Sequence, residues 1–238
     1  MDKRFLPLFT VLIINFILSG WLIAIPPGSF NASGVFEKDS IPPNQLLYNG
    51  RVWRNLYASV HGDPFLFSDE FMPGQVTMNG KTFSKLRLRY DILNDEIVTI
   101  TDKGIILQLN REMIEEFTIT YKGRIYNFLH LITDSLDNLS GYVNVVYEGN
   151  SGLYVKSRKE ISGMGPGKNY EDFFQVDRIF LLKDGIFTLI RSNRDFKREF
   201  SDRWSEIKEY KTANRIKLSV KSPDSYVPVL IFFDSLMP

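Results

Sequence analysis

Hydrophobic and polar positions alternate with a period of two over much of the chain. From Leu86 onward, Leu86, Leu88, Tyr90 and Ile92 share one parity and Lys85, Arg87, Arg89 and Asp91 the other, the pattern of a strand with one buried face. Phe83 falls on the charged parity, so a bulge or an exposed ring is expected there. Phe117, Ile119 and Tyr121 alternate with Thr118 and Thr120, and Tyr126, Phe128, His130 and Ile132 share a further parity. Turn signals punctuate these runs. Asn49-Gly50 and Asn79-Gly80 read as two-residue hairpin loops, because Asn and Gly accept positive φ. Lys103-Gly104, Lys122-Gly123, Asn150-Ser151-Gly152 and Asp184-Gly185 add further breaks. About ten strands at this spacing, without long helical patterns between them, argue for antiparallel pairing rather than βαβ units. Residues 46–190 are therefore expected to form a meander: a curved sheet, an open barrel or two packed sheets.

The period then changes. Phe196, Phe200, Trp204, Ile207 and Tyr210 fall on one face of a helix, as one helix or two short ones, with Ser201 or Asn193 as a cap. Ile216, Leu218 and Val220 alternate with Lys217, Ser219 and Lys221, which predicts a short strand or extended stretch. Asp224-Ser225 is placed to cap a last helix running to Leu236, although Pro228 to Phe233 also reads as a strand. The expected fold class is α+β, mainly β, with a C-terminal helical region over 191–238 packed on the sheet.

The first residues carry an address. Lys3 and Arg4 precede an apolar run from Val11 to Ile25, and Pro26-Pro27-Gly28 ends it, the layout of a secretory signal peptide over 1–24. Ala24 suits the position before a cut, while Leu22 is larger than usual there. Counted from Phe5, the apolar stretch is also long enough to stay as an uncleaved anchor. Both readings export the chain beyond Ile25, and residues 25–45 form a polar, Pro-containing lead-in. The periplasm or cell envelope is the expected location.

Composition narrows the classes. The chain has 238 residues, 29 Lys and Arg against 28 Asp and Glu, and a net charge of +1, which excludes the strongly basic balance of a dedicated nucleic-acid binder. With 44% apolar and 24% charged residues it is an ordinary globular sequence. It contains no cysteine, hence no disulfide, no thiolate ligand and no thiol nucleophile.

Several stretches form a familiar set: Asn49-Gly50, Gly62-Asp63-Pro64-Phe65, Gly74 to Gly80, Leu88 to Val98, Tyr147-Glu148-Gly149 with Leu153 to Lys156, Phe173-Phe174 to Asp184-Gly185, and Phe232 to Leu236. Together they resemble a group of uncharacterised exported proteins of Gram-negative bacteria, most specifically in Arg89-Tyr90-Asp91-Ile92 followed by Asn94-Asp95-Glu96. The resemblance spans roughly Leu46 to Leu236, and its usual apolar positions at Ile179-Phe180-Leu181 are met. It implies export to the envelope and carries no activity, cofactor or catalytic residue.

Candidate chemistry is sparse. Arg87, Arg89, Asp91, Asp95 and Glu96 form the densest charged group. A carboxylate trio near a turn suits calcium, but the spacing fails the twelve-residue loop and the arginines offset the charge, so cross-strand pairing and an Asn94-Asp95 turn explain it better. Gly163 to Lys168 lacks the first glycine of a Walker loop, where Ser162 stands, and Asn169 replaces its Ser or Thr. His61 reads as a turn residue and His130 as a core or rim histidine; neither has a ligand partner at helical spacing, and no G-x-S-x-G elbow supports a Ser-His-Asp hydrolase. Asn31-Ala32-Ser33 and Asn138-Leu139-Ser140 match a glycosylation acceptor that matters only in a eukaryotic secretory path. Residues 191–221 hold ten basic and five acidic residues, so the Phe196–Tyr210 helix can touch anionic lipid, or pack its aromatic face on the sheet with its cations in water. No catalytic, cofactor-binding or metal residue is assigned. The expected function is a non-catalytic binding or structural module of the envelope, whose partner is another envelope protein or an apolar small molecule. The alternatives are a carrier holding an apolar ligand or lipid in a curved-sheet cavity and, third, a hydrolase.

Overall fold

The computed structural model describes residues 46–133, 139–163 and 170–237. The leader, the lead-in, both glycosylation motifs' asparagines and most of the Gly163–Lys168 loop lie outside them.

Among the described residues eleven strands form one sheet: β1 (Arg51–Val52), β2 (Met72–Met78), β3 (Lys81–Asp91), β4 (Glu96–Ile100), β5 (Ile106–Gln108), β6 (Ile114–Tyr121), β7 (Arg124–Leu131), β8 (Gly141–Glu148), β9 (Gly152–Ser162), β10 (Asp172–Lys183) and β11 (Ile186–Ile190). The spatial order is β1-β5-β4-β3-β2-β6-β7-β8-β9-β10-β11, and every pairing is antiparallel. The expected meander is therefore present, as one curved sheet that stays open. β2 is its centre: β3, β4 and β5 unroll to one side and β6 to β11 to the other. A 3-10 turn (Arg111–Met113), capped by the Asn110 side chain, carries the chain from β5 across to β6.

The hairpins obey their turn chemistry. Asn79-Gly80, Lys122-Gly123 and Asp184-Gly185 have positive φ at both residues and join adjacent strands. Asn49-Gly50 does not. It precedes β1, and Gly50 lies so close to the neighbouring strand that a Cβ would meet Gln108 O at 2.0 Å. Glycine serves close backbone approach there, not a reverse turn. The expected irregularity at Phe83 is a bulge: pairing shifts between Gly74↔Leu86 and Val76↔Phe83, with Lys85 at φ 59°. The extra residue switches the parity, so Phe83 is buried despite its charged sequence neighbours. Ile132, by contrast, lies beyond β7 and is exposed.

The apolar side chains gather in three clusters. Where the sheet curls most, Tyr90, Phe117, Phe128 and Tyr142 fill the concave side, Phe117 stacking on Phe128 at 4.5 Å and Tyr90 meeting both edge-on at 5.3 Å. Along β8 to β11 the same face carries Leu153, Val155, Ile179, Leu181 and Ile190 under the helices. The opposite face carries Val143, Tyr154 and Phe180 with Leu139. Both faces are covered where Leu153–Val155 of β9 lies beside Ile179–Leu181 of β10, which is why those two short stretches read as unbroken apolar runs.

The helices are α1 (Asn193–Glu199), α2 (Trp204–Ala213) and α3 (Val227–Ser235). The Phe196–Tyr210 face is split by a 3-10 turn (Ser201–Arg203), so two short helices replace one. The cap of α1 is Ser192, not Asn193 or Ser201: its hydroxyl accepts from Asp195 N, and the Asp195 carboxylate accepts in return from Ser192 Oγ and Arg191 N. Ile216 to Val220 form no strand, only a bridge of Ser219 with Ser222. α3 is a helix, entered through a 3-10 turn (Pro223–Tyr226) without a side-chain cap from Asp224 or Ser225. Among the described residues no helix is long and apolar enough to cross a membrane.

Candidate functional site

The charged group on β3 and β4 is dismantled by the fold. Asp91 is buried and caps the β3–β4 turn, accepting from Leu93 N, Asn94 N and Asn94 Nδ2 at 3.0 Å each. Burial pushes its carboxyl above the ordinary value, with those amides pulling the other way. Glu96 faces Arg51 at 3.2 Å and is likewise raised by burial. Arg89 points to the other side of the turn. Its guanidinium carbon lies 3.9 Å from the centroid of the Phe71 ring and 5.1 Å from that of Phe65. Burial lowers its pKa, and its Nε–H is buried without a hydrogen-bond partner. The expected turn at Asn94-Asp95 is thus present, but the expected pairing within the group is not: among the described residues Glu96 pairs with Arg51 and Asp95 with Lys156 and Arg111, while Arg89 faces aromatic rings. Among the described residues no group of three His, Asp or Glu is arranged to hold a metal ion.

Asp95 goes elsewhere. At φ 59° it turns its carboxylate into the splay between β8 and β9, whose register begins only at Asn144↔Val155. Tyr142 has no ladder partner on that side. Asp95 Oδ2 accepts its N–H (3.3 Å), while Lys156 Nζ (2.9 Å) and Tyr90 OH (3.3 Å) donate to its carbonyl. Lys156 is 1% exposed, also donates to Asp95 Oδ1 at 3.0 Å, and has its pKa lowered by burial against the pull of Asp95. Arg111, on the β5–β6 crossing, pairs with the other oxygen at 3.1 Å. Gly141 makes room, at φ +101°: a Cβ there would stand 1.8 Å from Asp95 Oδ2. This constellation holds the curl together. The sequence singled out Asp95 for its chemistry but not Lys156, which reads only as the first cation of the charged stretch Lys156 to Glu160.

The curl is stapled a second time. Segment 61–66 bonds to β3 through Ile92 N to Pro64 O and Leu66 N to Tyr90 O, and to β10 through Phe173 N to His61 O. Lys159 donates from its N to Ile92 O and from Nζ to Asp63. His61 lies on this staple, its exposed ring 3.1 Å from Asp172 Oδ1 and against Tyr170. Ser162 is opposite Asp172, but its hydroxyl bonds the Asp172 backbone. His130 packs on Tyr142 at 4.8 Å, with burial lowering its pKa. Among the described residues neither imidazole is hydrogen-bonded to a serine or threonine hydroxyl. The apolar side of the Phe196–Tyr210 segment packs inward, with Phe196, Phe200 and Ile207 buried, while Arg194, Lys197, Arg198 and Lys208 stay exposed and Lys197 and Lys211 lie over the Trp204 ring at 5.9 and 5.2 Å.

Among the described residues a hollow of about 400 Å³ over β2, β6, β7 and β8 is walled by Gln75, Thr77, Glu116, Asn127 and Glu148, and two further features, a cleft and a cavity, are also concave and chemically mixed. The first is a two-lobed cleft beside β1, with Trp53, Tyr57 and Pro64 in the wall of both lobes. One lobe, about 260 Å³, adds Arg51, Asp91, Asn94, Glu96 and Gln108. The other, about 190 Å³, adds Asn55, Asp63, Asp69, Arg89 and Phe173. Trp53 leans on Phe65 (5.7 Å) and Tyr57 meets Phe173 edge-on (6.1 Å). Neither aromatic was marked by the sequence, because no periodic pattern surrounds them. The second feature is a cavity of about 290 Å³ on the concave face, between Phe128 and Val155, with Asn144, Ser157 and Gln175 among its polar walls. Arg124 and Asp224 stand at it as a bidentate pair joining the β6–β7 hairpin to the turn before α3.

Neither a protein-family model, nor a curated protein, nor a solved structure matches this chain.

Proposed function

We propose that this chain is an exported, non-catalytic binding module of the cell envelope, and that its ligand is taken in the cleft at Trp53 and Tyr57. The leader pattern and the resemblance to exported envelope proteins support the location. One observation carries the binding reading: the cleft's polar groups are fixed in place by their neighbours before any ligand arrives. Arg51 is tied to Gln108 and Glu96, Asp91 to the turn amides, and Asn55 to Tyr57 N. Groups held this way suit recognition, since ordering them costs little on binding.

A second reading keeps the carrier, on the observation of the concave cavity. At about 290 Å³ with polar walls, it accommodates a small molecule and not a lipid chain.

Location is tested by expressing the full sequence in a Gram-negative host. The expected result is recovery in the periplasmic or envelope fraction with the leader processed or embedded. Recovery of the intact chain from the cytosol overturns export. Native mass spectrometry of the exported protein separates the two binding readings: a bound small-molecule mass that is lost on Phe128→Trp and kept on Trp53→Ala favours the concave cavity, and the reverse favours the cleft.

A further inference from the structure

We propose that the Trp53–Tyr57 cleft binds a neutral saccharide, with one sugar ring against each side of the aromatic wall. This rests on the binding-module reading and names its ligand class.

The aromatic wall comes first. A sugar ring presents a flat patch of C–H bonds on one face and hydroxyls at its edge, so it is best met by an aromatic face bordered by planar hydrogen-bonding groups. Trp53 is half-buried, backed by Phe65, and borders both lobes; Tyr57 stands beside it, backed by Phe173. Around them the first lobe offers the amides of Asn94 and Gln108 and the Arg51–Glu96 pair, groups that bridge two neighbouring hydroxyls.

The second lobe adds an independent observation. Arg89 Nε–H is a buried donor with nothing to donate to, and its guanidinium lies over Phe71. The Nε–H itself is sealed from the lobe, but the rest of the guanidinium lines it with no hydrogen bond or ion pair among the described residues, which leaves its terminal N–H groups to donate to an acceptor oxygen entering there. A hydroxyl or ring oxygen supplies that acceptor without bringing charge.

Charge then separates a sugar from an ion. In each lobe cations and carboxylates face one another: Arg51 with Asp91 and Glu96 in one, Arg89 with Asp63 and Asp69 in the other. An anion would meet carboxylates and a cation would meet guanidinium, whereas a neutral polyol can donate to the first and accept from the second. Size agrees, since each lobe lies below the about 300–1,000 Å³ usual for larger ligands and so takes a single ring.

The test is saturation-transfer NMR on the full chain with glucose, galactose, mannose, N-acetylglucosamine and their β-linked and α-linked disaccharides, with cyclohexanol, acetate and phosphate as controls. At least one sugar is expected to bind at millimolar concentration or below, with transfer strongest on ring C–H protons. Trp53→Ala should weaken it at least tenfold, and Asn94→Ala and Arg89→Lys several-fold. Trp53→Phe, which keeps a ring against Phe65, guards against simple unfolding and should weaken binding less than Trp53→Ala. The proposal is overturned if no sugar binds the folded chain, if binding survives Trp53→Ala and Asn94→Ala together, or if acetate, phosphate or cyclohexanol binds as well as the sugars. If the sugars fail while the chain still fractionates with the envelope, the ligand class falls and the exported location stands.

Discussion

Asp91 shows how a single carboxylate can be needed for its shape and disfavoured for its charge. Its oxygens organise the β3–β4 turn, while burial raises its pKa. Asp91→Asn keeps an acceptor for the Leu93 and Asn94 amides and removes the buried charge, so its stability in urea at neutral pH should stay within about 1 kcal/mol of wild type. Asp91→Ala leaves both amides unpaired and should cost about 1–3 kcal/mol. The sign with pH comes from the raised value. The folded chain holds this proton at a pH where the unfolded chain has released it. Its contribution therefore favours folding increasingly as pH falls toward 3.8, and that increment should vanish in Asp91→Asn. Asp95 is the opposite case, because its charge is itself required. Asp95→Ala strands Lys156 in the β8–β9 splay and should cost about 3–5 kcal/mol in denaturant unfolding. Lys156→Met leaves Asp95 with Arg111 and Tyr90, and should cost less. Because burial lowers the Lys156 pKa, the unfolded chain keeps this proton to higher pH. In the Asp95→Ala variant, stability should therefore rise as pH climbs toward 10.5.

At the scale of elements, the helices are fixed to the sheet at defined points as well as by their apolar face. Asp234, near the end of α3, accepts from Tyr147 OH at 2.8 Å, from Ser151 Oγ at 2.8 Å and from Ser151 N, which pins the helix to the β8–β9 turn. Burial and this bond push the Tyr147 hydroxyl up to about 12. Tyr90, Tyr142, Tyr154 and Tyr226 are also raised by burial, so ultraviolet titration should find several tyrosines ionising late in wild type and one fewer in Asp234→Asn. Since the folded pKa of Tyr147 is the higher one, the stabilisation it brings is intact below pH 10 and is lost as pH rises toward about 12. The Arg124–Asp224 pair makes the contrast. It is bidentate, but its side chains are 47% and 49% exposed, so a double-mutant cycle should yield only about 0.2–1 kcal/mol of coupling, declining with salt.

For the whole molecule, what could be read in the sequence was what local chemistry decides. Asn79-Gly80, Lys122-Gly123 and Asp184-Gly185 demanded positive φ and became hairpins, and the misfit of Phe83 foretold a bulge. Distant pairings were hidden. Nothing near Asn49-Gly50 shows that Gln108 lies across from it, and nothing near Asp95 names Lys156, 61 residues away. The cleft was half visible: its carboxylates stood out as a charged group, whereas Trp53, Tyr57 and the stranded Arg89 donor gain meaning only once segment 51–66 is folded against the β3–β4 turn. The same long-range links set how the molecule should open. β8 belongs to the aromatic curl and to the layer under the helices, β9 to that layer and to the apolar cluster on the opposite face, and the two strands carry the Asp95–Lys156 and Asp234 attachments. β1 and β11 each have a single neighbouring strand, and β1 is only two residues long. An edge strand can detach by losing one ladder, while freeing β8 or β9 requires breaking two ladders and both apolar layers. Native-state hydrogen exchange should therefore find the slowest amides in Val143–Val145 and Leu153–Val155, exchanging only with global unfolding. Those of β1 and of Ile186–Phe187 should exchange through local opening, independent of denaturant. In Asp95→Ala the β8–β9 protection should fall with the global stability and the β1 rates should not change. Equal loss of protection at both places would mean that the curl and the edge open as one unit.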